Sequence, residues 1–414
     1  MYINKIKENY MNILERFKKY VAFDTQSDPT NKSVPSTLKQ LKLGEEIVKD
    51  LKEIGLEDAF LDEYGYVYAT LKSNSTKKFP TIGFIAHMDT SPDMSGKDVK
   101  AIVHNYNGGD IKLNDEFSIK VSEFPFLKDL EGLTIITASG DTLLGADDKA
   151  GIVEILDAME YLMNHPEIEH GDIKVAITVD EEIGRGADYF DVDGFGADFA
   201  YTMDGGPIGE LEYENFNGAS AVIKIQGKNV HPGSAKNTMV NSIRIAMEFD
   251  SLLPVDQKPE YTVDYEGFNH LNNIEGDVEY TEMEYIIRDH DFEKFTSKKK
   301  LFEDITEFLN KKYNNAITLE ISDSYYNMRE KIETRLEIVE LAKKSMEDIG
   351  IIPDIKPIRG GTDGASLSYK GLLTPNIFAG GLNFHGRYEL VPLEWMEKAS
   401  ELIVKIVENS QDFQ

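Results

Sequence analysis

The stretch Thr81-Ile82-Gly83-Phe84-Ile85-Ala86 is a nearly continuous apolar run, which is typical of a strand covered on both faces. Another apolar run at 66–71 precedes it, and alternating apolar and polar residues at 173–179 predict a further strand. Between these strands, one face of a predicted helix carries Ile152, Leu156, Met159 and Met163. Strands that alternate with helices predict an α/β domain with a largely parallel mixed sheet flanked by helices.

The pattern of predicted elements changes after about residue 212. A strand begins at 222–225, and the helix that follows it is indicated by Val240, Ile243 and Met247. Further strands and a second helix complete the order β-α-β-β-α-β, which is typical of a small α+β unit. From about residue 327 the pattern returns to helix, strand and helix. The sequence therefore predicts a main α/β domain in two parts, 1–212 and 327–414, interrupted by an inserted lid domain at 213–326.

Composition limits the classes of protein to consider. The chain has 414 residues, of which 41% are hydrophobic and 29% are charged, the profile of a folded protein of about two domains. Its formal net charge of −30 argues against nucleic acids and anionic membranes as partners. We find no apolar run that could span a membrane and no signal-peptide pattern at the N-terminus, so we expect a cytoplasmic protein. Since there is no cysteine, any metal must be held by histidines and carboxylates.

The first candidate for chemistry is the pair His87 and Asp89, directly after the run at 81–86. Residues i and i+2 of an extended chain point to the same side, so the Asp89 carboxylate is expected beside the imidazole. A carboxylate in that position fixes a metal-bound histidine in one tautomer. The alternative interpretation is a polar pair that only ends a strand.

Two pairs of adjacent acids are the next candidates. Asp147 and Asp148 lie between glycines at a predicted helix start, where an aspartate commonly caps free N–H groups but can also bridge two cations. Glu181 and Glu182 follow the strand at 173–179. They either face water or divide two roles, one binding a metal and the other taking a proton from water.

Asp204 and His385 also follow short apolar runs, although each alone is better explained as a turn residue or a structural histidine. Taken together with His87, Glu182 and the aspartate pair, they are all expected at the carboxyl edge of the sheet. Ligands bind at that edge in open α/β folds. Two imidazoles and three carboxylates, one of them shared, suit a pair of zinc ions roughly 3.5–4 Å apart.

Several blocks of the sequence resemble a known family. They are AHMDT at 86–90, TLLGADDKAG at 142–151, DEEIG at 180–184, VHPGSAK at 230–236, IRGGTDGA at 358–365 and NFHG at 383–386. This set, which extends over nearly the whole chain, is similar to the dinuclear zinc metallopeptidases of the aminoacylase and carboxypeptidase G type. The block at 144–151 and ENFNG at 214–218 are similar, more narrowly, to the tripeptide aminopeptidases of that family.

The resemblance implies a role for each candidate residue. One zinc would be held by His87, Asp147 and Asp204, and the other by Asp147, Glu182 and His385. Asp147 is chosen because it matches the family's Asp-x-Lys pattern, whereas residue chemistry alone leaves Asp148 open.

The same resemblance implies three catalytic roles. Asp89 would orient His87, and Glu181 would be the general base. His231, in a Val-His-Pro-Gly loop of the lid, would donate a hydrogen bond to the oxyanion of the transition state.

The expected activity is removal of the N-terminal residue from tripeptides by metal-activated water, with short peptides as partners and a monomer or homodimer as the assembly. Arg288 and Arg359 are candidates for binding a peptide carboxylate, and a structural ion pair is the alternative for either. A deacylase or a carboxypeptidase could use the same pair of zinc ions. A binding protein without catalysis would be expected to lack a general base, and Glu181 is present.

Overall fold

The computed structural model describes residues 13–413, and the chain divides into two compact units. Unit 1 contains the chain up to Tyr213, Glu330–Lys356, and the chain from Ser366 onward. Unit 2 contains Glu214–Arg329 and Pro357–Ala365. The segment Pro357–Ala365 therefore groups with unit 2, although the sequence analysis assigned it to the second part of the main domain. The N-terminal residues on which the cytoplasmic expectation depends lie outside the described range.

The described strands are β1 (Phe60–Leu61), β2 (Val67–Leu71), β3 (Ile82–His87), β4 (Ile102–Asn105), β5 (Ile111–Lys112), β6 (Ser118–Ile119), β7 (Thr134–Thr137), β8 (Ile173–Thr178), β9 (Phe199–Gly205), β10 (Glu210–Glu212), β11 (Asn217–Gln226), β12 (Phe268–Gly276), β13 (Tyr280–Asp289), β14 (Ile317–Tyr325), β15 (Asp354–Ile355), β16 (Asn376–Phe378) and β17 (Leu390–Pro392). The helices are α1 (described over 13–21), α2 (Lys39–Ile54), α3 (Ala146–Asn164), α4 (Val192–Phe195), α5 (Ser242–Ser251), α6 (Phe292–Lys312), α7 (Arg329–Ile332), α8 (Glu337–Asp348), α9 (Asp363–Tyr369) and α10 (Leu393–Asn409).

Unit 1 is built on an eight-stranded mixed sheet in the order β1-β2-β8-β3-β9-β16-β10-β15. Its central strands β8, β3, β9 and β16 run parallel, so their carboxyl ends lie at one edge. Every residue of β3 is buried, as expected for an apolar run covered on both faces. Helix α3 packs on β3 and β9, and α10 packs on α3. The predicted α/β class with a largely parallel mixed sheet is confirmed.

A smaller antiparallel sheet of unit 1 has the order β17-β7-β4. Its apolar core includes Ile119, Leu127, Ile135 and Leu390. Strand β7 leads into the loop that opens α3, and β17 directly follows the loop that carries His385. Because β7 pairs with β17, the loop that leaves β7 starts beside the point where the loop before β17 ends.

Unit 2 contains an antiparallel sheet in the order β12-β13-β11-β14, covered by α5 and α6. This arrangement confirms the predicted β-α-β-β-α-β insert. The apolar face of α5 differs from the residues used to predict the helix, because Ile243 and Met247 are exposed whereas Ile245 and Phe249 are buried. Apolar residues occur on more than one side of this short helix, and the large Phe249 ring packs against the sheet. Within 13–413, no helix is long and apolar enough to cross a membrane.

Candidate metal centre

Four predicted ligands lie at the carboxyl ends of the four central parallel strands of unit 1. His87 is the last residue of β3 and Asp204 is the penultimate residue of β9, while Glu182 and His385 follow β8 and β16. The sequence analysis placed all four just beyond the strands, whereas His87 and Asp204 lie within the last two residues of theirs. The fifth residue, Asp147, lies at the irregular start of α3, directly after the loop that follows β7.

These side chains form two groups that share one residue. The potential ligand atoms of His87, Asp147 and Asp204 lie within 4.8 Å of one another, and so do those of Asp147, Glu182 and His385. One carboxylate oxygen of Asp147 is 2.7 Å from Nε2 of His87, and the other is 3.3 Å from Nε2 of His385. A shared carboxylate between two sets of nitrogen and oxygen donors fits two divalent cations.

Asp148 belongs to neither group. Its Oδ2 accepts a hydrogen bond from the backbone N–H of His87 at 3.2 Å, and its Oδ1 accepts one from Gly151 at 3.2 Å. The side chain is fully buried, and burial raises its pKa well above the usual range. Of the two aspartates that residue chemistry left open, only Asp147 faces the imidazoles.

The electrostatics of the two groups favour positive charge between the carboxylates. Burial lowers the pKa of His87, but hydrogen bonds with Asp147 and Asp204 outweigh it and raise the pKa well above 6.5. Hydrogen bonds with Asp147 and Glu182 raise the pKa of His385 to about 11. Divalent cations at these positions compete with the imidazole protons, so metal binding is expected to release protons and to strengthen as the pH rises.

Asp89 contacts both parts of the predicted catalytic apparatus. Its backbone carbonyl lies 3.1 Å from Nδ1 of His87, closer than its Oδ1 at 3.5 Å. The fully buried carboxylate accepts backbone hydrogen bonds from Glu181 at 2.9 Å and Glu182 at 3.2 Å. With the proton on Nδ1, the lone pair of Nε2 points toward Asp147. The role of the Asp89 carboxylate in holding the glutamate turn was not anticipated from the sequence.

Asp180 was also missed by the sequence analysis. It lies before the short 3-10 turn Glu181–Ile183, has a left-handed φ of 58°, and is fully buried. Its carboxylate accepts hydrogen bonds from the Ser36 backbone N–H at 2.6 Å and from the Gln40 side chain at 2.7 Å. No local sequence pattern predicts these hydrogen bonds, because they join parts of the chain that are distant in sequence.

His231 lies in unit 2 at the start of the 3-10 turn Pro232–Ser234, and its side chain is exposed. Its Nδ1 accepts a hydrogen bond from the backbone N–H of Gly233 at 3.1 Å. A neutral imidazole with an accepting Nδ1 carries its proton on Nε2. The geometry therefore leaves an N–H donor on an exposed part of unit 2.

The two arginine candidates differ in how their guanidinium groups are used. Arg359 donates to the backbone carbonyls of Asp264 and Glu266 and to the Thr262 hydroxyl, at 2.5, 3.0 and 2.9 Å. Arg288 lies over the Tyr325 ring at 4.8 Å from its centroid, and burial lowers its pKa. No salt bridge to a carboxylate is found for either arginine within the described part of the chain.

Comparison with known families gives one match within the chain. A family profile described as "Peptidase dimerisation domain" matches residues 213–316. These residues make up most of unit 2 and include β11 to α6.

The chain is also similar to known proteins along almost its whole length. It is 59% identical to peptidase T of Caldanaerobacter subterraneus subsp. tengcongensis over 400 residues, which cover 96% of this chain and 98% of the relative. Among solved structures, the aminopeptidase PepT from Bacillus cereus has a TM-score of 0.76 at 24% identity, covering 97% and 98% of the two chains. A tripeptidase from Staphylococcus aureus has a TM-score of 0.78 at 22% identity, with the same coverage. The two structures share the fold.

Proposed function

Since the chain belongs to the peptidase T family, we propose that it is a zinc-dependent aminopeptidase that removes the N-terminal residue from tripeptides. The family assignment rests on 59% identity over nearly the full length of both chains. The observation that carries the metal dependence is the position of Asp147, which faces His87 on one side and His385 on the other. A metal-dependent hydrolase of peptides is the function that this arrangement supports best.

We assign one zinc to His87, Asp147 and Asp204 and the other to Asp147, Glu182 and His385. When bound, the two ions supply Lewis acidity toward the scissile carbonyl and toward the attacking water. Glu181 acts as the general base that takes the proton of the water and returns it to the departing amine. Asp89 supports this role because it holds the backbone N–H groups of Glu181 and Glu182.

Unit 2 contributes two further residues to the proposal. His231 donates a hydrogen bond from its Nε2–H to the oxyanion of the tetrahedral intermediate, a role supported by its accepting Nδ1. Arg288 binds the substrate carboxylate, because a guanidinium matches a carboxylate with two parallel hydrogen bonds. Arg359 is the weaker of the two arginine candidates, since its donors already bind the segment around Thr262 to Glu266.

We further propose a homodimer formed through unit 2 and a cytoplasmic location. The profile match to a peptidase dimerisation domain supports the dimer. So do the exposed apolar side chains of Met247, Val263 and Ile274, the last on the edge strand β12. Light scattering of the purified protein would test the dimer, and cell fractionation would test the location.

Mass-spectrometric product analysis would test the activity. The zinc-loaded protein would be given a free tripeptide, the same tripeptide with an acetylated N-terminus, and the matching dipeptide. Release of the N-terminal residue from the free tripeptide alone is the expected result. Cleavage of the acetylated peptide would instead indicate the deacylase or carboxypeptidase that uses the same metal site.

A further inference from the structure

Glu389 lies shortly after His385 and reaches across to the loop that carries Asp147. Its Oε2 accepts hydrogen bonds from the backbone N–H groups of Leu144 at 2.7 Å and Gly145 at 2.9 Å. Its Oε1 accepts one from the N–H of Asp147 itself at 3.1 Å. The side chain is 1% exposed, so these bonds form away from water. The two loops that supply the shared ligand and one of the imidazoles are thus joined by a single carboxylate.

The backbone around Glu389 forms a closed loop. Leu382 and Leu390 exchange two backbone hydrogen bonds, at 2.9 and 3.0 Å, so the chain from 383 to 389 returns to its starting point. Leu390 then begins β17, which pairs with β7 through Thr137. The loop therefore has little freedom to move at its base, and its carboxylate is held against the segment that follows β7.

The segment at 144–147 needs an acceptor from elsewhere in the chain. The first N–H groups of a helix have no partner within the helix, and here the N-cap Gly145 has no side chain that could supply one. Asp147 has non-helical backbone angles, so the start of α3 is irregular. Buried N–H groups without an acceptor would destabilise this conformation, in which Asp147 faces both imidazoles.

We propose that Glu389 is a positioning residue that holds Asp147 as the shared ligand of both metal ions. Its hydrogen bonds go to backbone N–H groups and not to ligand side chains, so it acts through the backbone of the segment at 144–147. This inference rests on the proposed function, since it requires two ions that share Asp147. Because both ions share the Asp147 carboxylate, loss of the hydrogen bonds that Glu389 accepts weakens the binding of both ions rather than of one.

The experiment is a zinc titration of wild type and of Glu389→Gln against a chromophoric chelator. The glutamine keeps one oxygen for the N–H groups of Leu144 and Gly145, but it turns an NH2 group toward the N–H of Asp147. Replacement of groups that hold metal ligands typically weakens metal binding about 10- to 100-fold, and we expect a loss of that size for both ions. Glu389→Ala removes all three acceptors and is expected to lose more affinity.

The matched control is Glu394→Gln. Glu394 also accepts backbone hydrogen bonds through both oxygens, from Thr134 at 3.0 and 2.9 Å, but Thr134 begins β7 and lies outside 144–147. We expect this variant to bind both ions as wild type does. Cobalt-substituted protein offers a second readout, because the visible absorption of bound cobalt is expected to change in Glu389→Gln and to stay unchanged in Glu394→Gln.

Each result decides between the alternatives. Unchanged affinity for both ions in Glu389→Gln, or an equal loss in Glu394→Gln, would overturn the role of Glu389 and leave the proposed function intact. A wild-type protein that binds no pair of ions would overturn the proposed function, and this inference with it. Melting temperatures of the metal-free proteins distinguish a local loss of the Glu389 hydrogen bonds from unfolding of the protein. If the alanine variant does not fold, the nearly isosteric glutamine variant still provides the test.

Discussion

Buried carboxylates in the segments that carry the predicted ligands of unit 1 accept backbone hydrogen bonds, whereas the candidate donor of unit 2 is exposed and has one hydrogen bond within residues 13–413. Asp89, Asp180 and Glu389 are each no more than 1% exposed. Asp89 and Glu389 accept backbone N–H groups of predicted site residues, and Asp180, which lies two residues before Glu182, accepts the backbone N–H of Ser36. His231 accepts a hydrogen bond from the backbone N–H of Gly233. The candidate ligands of unit 1 can therefore be tested by metal binding to the protein alone. The roles proposed for the candidates of unit 2 involve the substrate, so experiments with substrate must distinguish them.

The largest effect is expected from Glu181→Gln in unit 1. A glutamine at this position cannot accept the proton of the attacking water, and general base catalysis contributes about 10²–10⁴-fold. We expect kcat to fall by that factor while both ions stay bound, because Glu182 and not Glu181 belongs to the ligand groups. Steady-state kinetics together with metal analysis would measure this. A variant that loses zinc would instead identify Glu181 as a ligand, and the assignment of the two glutamates would have to be exchanged.

His231→Ala tests whether unit 2 takes part in the chemistry at all. Loss of one donor to an oxyanion typically costs about 10²–10³-fold in kcat. We expect a decrease of this size with unchanged zinc content, since the ligands of both groups lie in unit 1. His270→Ala, on β12 of the same unit, is the matched control and should keep wild-type activity. Equal activity in the two variants would mean that His231 of unit 2 takes no part in the catalytic step.

The parts of the site that could be predicted from the sequence are those with a local pattern. His87 and Glu182 follow apolar runs, and the parallel sheet brings the carboxyl ends of such runs together. Asp180 and Glu389 could not be found in this way, because their partners are distant in the chain and depend on how the segments pack. The buried face of α5 could not be predicted for a different reason, since apolar residues occur on more than one side of this helix.

The two arginines of unit 2 are expected to respond differently to the same substitution. Arg288→Met should raise KM for tripeptides, because a hydrogen bond to a charged group is worth about 1.5–3 kcal/mol, or roughly 10- to 150-fold. Arg359→Met should leave KM close to that of wild type and lower the melting temperature, because it leaves the carbonyls of Asp264 and Glu266 without their donor. Kinetics and thermal unfolding of both variants would measure this contrast. If KM rises in Arg359→Met and not in Arg288→Met, Arg359 would bind the substrate carboxylate and Arg288 would have the structural role.

The smallest effect is expected from a buried glutamate that differs from Glu389 in its surroundings. Glu154 of α3 is fully buried, and neither of its carboxyl oxygens has a hydrogen-bond partner in the described chain. Burial, with a smaller contribution from the charge of Asp157, raises the pKa of Glu154 well above 4.5. The folded protein therefore keeps a proton that the unfolded chain loses above about pH 4.5. By linkage, this group makes the protein less stable as the pH rises from about 4.5 toward the raised pKa.

Glu154→Met removes both the unpartnered carboxyl group and its titration. We expect the free energy of unfolding to increase by on the order of 1 kcal/mol at pH 8. The increase should be smaller at pH 4.5, where the carboxyl group is protonated in the folded protein and in part of the unfolded population. Urea denaturation at the two pH values would measure the difference. Glu389→Met is the contrasting variant and should destabilise the protein at both, since it deprives three backbone N–H groups of their acceptor. A gain in Glu154→Met that does not depend on pH would mean that side-chain packing, and not the buried carboxyl group, limits stability on this side of α3.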